Sequence, residues 1–197
     1  SATITLGRPT DVSANPDNAF PFAGSITAKQ GSVITGENIT LVVNTYADLR
    51  AADLNNVVRV ILDDDANIYA NSNPANSASG SSGGTDTATG PNPNDHAILT
   101  ITDVQFREIG AQNFFVDGAI FNTHSFIKII VTQTTSLTAL GVDSLPANID
   151  LFLELNDNVT LTMTAQQLHE RVANDGVVLA DDGRTDRTSG KVVITGA

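Results

Sequence analysis

The chain has 197 residues, a net charge of −12 and no cysteine. Ten lysines and arginines against 22 acidic residues repel a phosphate backbone, which sets nucleic-acid binding aside. The missing cysteines exclude a disulfide framework, a zinc–thiolate site and a cysteine nucleophile.

Charged residues make up only 16% of the sequence, below the roughly 25% of an average globular protein. Thr and Asn fill the gap, so the surface is polar without being strongly charged. That suits extracellular proteins and subunits that pack against one another. A serine at position 1 fits a mature product left after removal of a leader. No run approaches the roughly 20 apolar residues that cross a bilayer as a helix.

Taken in order, the elements have a period of two. Ala2-Thr3-Ile4-Thr5-Leu6 alternates cleanly, and Gly7-Arg8-Pro9 then breaks the strand. Residues 39–43 and 57–62 are β-branched runs of the kind that favour strands. Between them, Tyr46 to Leu54 behind Thr45 is a weak helix candidate. Residues 98–102, 114–121 and 126–131 continue the pattern. In Ile149 to Leu155, Ile149, Leu151, Leu153 and Leu155 share the core face, and Phe152 is left on the other face for a second contact. Asn156-Asp157-Asn158 suits a tight hairpin turn, because Asn and Asp tolerate left-handed backbone. Residues 159–163 form the next strand. Thr164 with Gln167 forms a capping box for a helix over Ala165 to Ala173, with Gly176 placed to stop it. Residues 177–179 and 192–194 are the last apolar strands.

Short strands with turn chemistry between them predict an all-β fold, a single β-sandwich or jelly-roll-like domain over residues 1–197 with one or two short connecting helices. Residues 71–95 contain no large apolar side chain and read as a low-complexity surface loop. No convincing internal repeat stands out.

Candidate chemistry is sparse. His96, His124 and His169 are far apart, and His169-Glu170 lacks the second histidine of a zincin helix because Ala173 stands there. Asp outnumbers Glu 18 to 4, which turn preference explains and calcium would also suit. The best metal candidate is Asp63, Asp65 and Asn67, a strand-end calcium site; a solvated acidic turn explains the same residues. They match the first ligands of an EF-hand, but Ile68 and Pro74 break that motif. Asp181 and Asp182 have Arg184 and Arg187 nearby, which favours ion pairs over metal. Asn38 and Asn158 open N-glycosylation sequons. No other cofactor and no catalytic constellation is expected, so the chain reads as a non-enzyme.

The leading expectation is a secreted structural subunit of a self-assembling surface filament (a pilus, thread or sheath). Its partners are copies of itself, with no nucleic acid and no membrane span. Residues 1–8 form a donor-strand arm in this view, with Ala2, Ile4 and Leu6 as the interface that completes a neighbour's sheet. Pairing of that strand within its own chain is the competing expectation. The alternatives are a carbohydrate- or ligand-binding β-sandwich, which the absence of Trp and the presence of only two Tyr weaken, and a viral capsid, tail or fibre protein.

Overall fold

Alternating aliphatic residues make strands wherever one face is buried, and they do so throughout this chain. The computed structural model describes residues 1–6, 26–44, 46–63, 97–117, 125–179 and 189–196. The strands are β1 (Ala2–Leu6), β2 (Ile26–Thr27), β3 (Ile39–Val43), β4 (Tyr46–Asp48), β5 (Val57–Asp63) and β6 (Ile98–Thr102). Helix α1 (Asp103–Ile109), β7 (Phe114–Asp117), β8 (Ser125–Val131), β9 (Thr135–Ser136) and α2 (Leu137–Leu140) come next. The remaining elements are β10 (Ile149–Leu155), β11 (Thr160–Thr164), α3 (Ala165–Arg171), β12 (Val172–Leu179) and β13 (Lys191–Thr195).

Every strand pairing among these elements is parallel. The strands form three sheets, ordered β1-β3-β5-β7, β12-β10-β8-β6-β4-β2 and β13-β11-β9. A strand's sheet neighbour is therefore two strands away in the chain. After each strand of the six-stranded sheet, the chain runs one strand in another sheet and returns to add the next. Up to β8 that excursion uses the four-stranded sheet; afterwards it uses the three-stranded one. The result is a coil of parallel strands with short helices at its later corners.

This overturns the expected all-β sandwich or jelly roll: three all-parallel sheets alternating with helices make an α/β-like arrangement. The reason is physical. Alternation reports which face of a strand is buried, not the direction of its neighbour. Parallel neighbours need a crossover, and here a strand in another sheet, or a strand and a helix, supplies it. The expected hairpin at residues 156–158 is corrected in the same way. β10 and β11 lie in different sheets, although Asn158 does take the left-handed backbone its type allows (φ 60°). The helix expected from Tyr46 is strand β4 followed by a turn. Gly176 does not stop α3, which already ends at the extended Val172. It lies inside β12, at an irregularity against β10, where an added Cβ would stand 2.6 Å from the Ala173 carbonyl oxygen and 2.9 Å from that of Leu151.

The core is a set of ladders running from coil to coil. Leu99, Ile127 and Leu151 are in register across β6, β8 and β10, and all are fully buried. Leu41, Val60 and Phe114 do the same across β3, β5 and β7. Each such side chain contributes about 1.5–3 kcal/mol by leaving water.

The corners are joined by glutamine. On α1, the Thr102 hydroxyl accepts from the Gln105 N–H (3.1 Å), and Gln105 Oε1 accepts from the Thr102 N–H (2.9 Å). Gln105 Nε2 then donates to the carbonyls of Leu49 (2.9 Å) and Ala52 (2.8 Å) in an earlier coil. On α3, Thr164 and Gln167 repeat the reciprocal cap, and Gln167 Nε2 donates to Thr138 Oγ1 (3.1 Å) and Asp143 Oδ1 (3.2 Å). Ser136 caps α2 through the Ala139 N–H. Two of the three described α-helices thus carry the same device: a cap that holds its own helix and a side-chain amide that reaches the preceding corner.

Candidate functional site

The proposed calcium ligands are only partly placed. Asp63 ends β5, is buried, and lies in register with Asp117 of β7. Asp65 and Asn67 fall outside the described residues, as do residues 71–95, His96 and His124. Among the described residues, no group of three or more metal-ligating side chains comes together. His169 sits exposed on α3.

Ala2, Ile4 and Leu6 lie on β1, which pairs with β3 of the same chain. Ile4 and Leu6 are half-buried against the core, while Ala2 is exposed. Their partners in register are Ile39, Leu41 and Val43, all core residues, so the three side chains extend the internal ladders outward by one strand. β1 is the edge strand of its sheet, and its second edge carries no described partner.

The outer face of the six-stranded sheet is organised by charge. Arg50 donates to both oxygens of Asp48, with its Nη2 at 2.8 Å. Those hydrogen bonds raise the Arg50 pKa above its ordinary value against the opposing effect of partial burial, with Glu154 adding to the rise. Lys128 Nζ meets Glu154 Oε2 at 2.6 Å, and the Phe126 and Phe152 rings lie 5.3 Å apart. Phe152 does face away from the core, as its alternation requires.

Asp103, at the start of α1, was not flagged by sequence reasoning. It is 1% exposed. Its Oδ1 accepts from the Val104 N–H (3.0 Å) and the Thr132 hydroxyl (2.6 Å), and its Oδ2 has no hydrogen-bond partner among the described residues. Position right after a cap threonine is the only sequence signal for it, and that signal points to helix-end electrostatics.

The distinctive surface is instead the two ends of the coil. β1 and β2 form one end; β12 and β13 form the other. Among the described residues, each has one edge with no strand beside it, which leaves a row of backbone donors and acceptors there, as at any sheet edge. Exposed large apolar side chains gather at the second end: Val178 (50%), Leu179 (43%) and Ile194 (46%), with Leu168 on the adjoining α3. Val33 is the exposed one in the chain between β2 and β3. The other two, Val58 and Phe115, belong to the first sheet, where the Arg59 guanidinium lies over the Phe115 ring at 4.4 Å.

No described helix is long and apolar enough to cross a membrane. Comparison with protein-family models, with curated proteins and with solved structures finds no match for the chain.

Proposed function

We propose that this chain is a structural subunit of a self-assembling filament, secreted or displayed at a cell surface, and that it performs no catalysis. The observation that supports this most is the pair of parallel edges, at the two ends of one coil, that no described strand covers, with apolar side chains exposed at the β12–β13 end. A coil of this kind gains stability by adding the next coil, because each addition pairs one edge and buries one set of ladder residues. β1 lies against β3 of its own chain. The neighbour is then met through open edges, with Ala2, Ile4 and Leu6 as the last rung on their side.

Negative-stain microscopy of the purified protein over a range of concentrations tests this. Filaments are the expected result. Closed shells would replace the proposal with a capsid role. A monodisperse monomer throughout would replace it with a ligand-binding module.

A further inference from the structure

Resting on that self-assembly, we infer that copies add head to tail, with β12 of one copy pairing in parallel with β2 of the next, so that the six-stranded sheet runs on across the junction. Three observations carry this.

The first is polarity. The sheet grows by repeated parallel additions from β2 to β12. The edge of β12 that no described strand covers is of the kind that β10 offered to β12, and the corresponding edge of β2 is its complement. Two β12 edges related by a twofold axis would run antiparallel and leave β2 unpaired.

Register is the second. Val177 and Leu179 stand beside the core residues Leu153 and Leu155, and Val178 stands beside the outward Glu154. In β2, Ile26 stands beside the buried Ala47, and Thr27 beside Asp48. A slip of one residue would turn every side chain to the wrong face. Matching faces over the longest described overlap sets Ile26 against Val177, Thr27 against Val178, and the half-buried Ala28 against Leu179. The small Ala28 then faces the large Leu179.

The third is charge. Neither strip, Ile26-Thr27-Ala28 or Val177-Val178-Leu179, carries a charged residue. On a molecule of net charge −12, a neutral strip gives a basic partner nothing to pair with. It suits a second copy with an equally neutral strip.

The chain has no cysteine, so introduced thiols report only on this junction. Adjacent strands lie about 4.8 Å apart, within the roughly 4.4–6.8 Å that a disulfide spans. Thr27→Cys and Val178→Cys change exposed positions, and unchanged circular dichroism and melting check that both fold. The variants are mixed in equal amounts and oxidised. The mixture is treated in parallel with a short bis-maleimide, so that an awkward disulfide angle does not decide the result. A mixed 27–178 dimer as the main product, and a ladder of covalent multimers from the double variant, is expected. A dominant 178–178 product, or filaments without any 27–178 link, overturns the head-to-tail junction and leaves the filament proposal standing. Monomers alone in sedimentation at every concentration, with no cross-link, overturn both.

Discussion

The middle of the six-stranded sheet and the last coil use the same residue types and end in opposite states. Leu99, Ile127 and Leu151 are 0% exposed, whereas Leu179 on the terminal strand, in register with the buried Leu155, is 43% exposed. The difference comes from what lies on each edge. β8 has β6 and β10 beside it; among the described residues, β12 has only β10. Burial here is a property of position in the stack. The sharpest way to test the contrast is to truncate one leucine from each region. Leu151→Ala should cost about 2–5 kcal/mol, because it leaves a cavity between two packed coils. Leu179→Ala should cost the monomer less than about 1 kcal/mol, because much of that side chain is already in water. Urea unfolding of both variants, at concentrations where the protein is monomeric, measures the gap. Equal losses would show that the terminal strand is packed as tightly as the centre.

The corner glutamines give the next largest contrast. Gln105 donates to two backbone carbonyls, of Leu49 and Ala52. Removing its side chain strands the Ala52 carbonyl and the Thr102 N–H, while the Leu49 carbonyl keeps the Ala52 N–H, for a loss of about 1–3 kcal/mol. Gln167 donates to the side chains of Thr138 and Asp143, on exposed residues that water can reach. Gln167→Ala should therefore cost about 1 kcal/mol, mostly the lost cap. The same unfolding measurement ranks the two. A larger loss at Gln167 would mean that the later corner, not the earlier one, holds the coils together.

Much of this architecture was legible residue by residue but not as a whole. The core face of β10 follows from alternation, and the cap at Thr164 with Gln167 follows from its spacing; both are present. What alternation does not encode is pairing direction, so a parallel coil and an antiparallel sandwich write nearly the same pattern along each strand. The distinguishing signal was a recurrence: Ile101-Thr102 followed by Gln105, and Met163-Thr164 followed by Gln167, each closing a strand and opening a helix. Read as a repeat, those two segments imply stacked corners. Gly176 misled for a related reason. A glycine after a helical stretch suits a stop, yet this one is needed where β12 bends close to the backbone of Leu151. The candidate calcium ligands could be read from spacing alone, and only Asp63 lies among the described residues. The open ends had no sequence signature, because the residues there look like those of any other coil.

The smallest expected effect on folding should accompany the largest effect on assembly, and Leu179→Asp separates them. Leu179 is 43% exposed and lies on an edge strand. In the monomer an aspartate there keeps its water, and the change should cost under about 1 kcal/mol. In a stacked junction the same carboxylate would be sealed between two coils, opposite the small apolar Ala28. Burying an unpaired charge costs far more than the contact of one leucine returns, several kcal/mol in practice. Filaments should therefore disappear while the melting temperature barely moves. Leu179→Met keeps the volume and the apolar character, so it should assemble like the parent. Sedimentation velocity on the three proteins reads assembly, and thermal unfolding reads the fold. If Leu179→Asp assembles as the parent does, the terminal strand is not buried at any junction, and the contrast between middle and end is one of packing with no bearing on assembly.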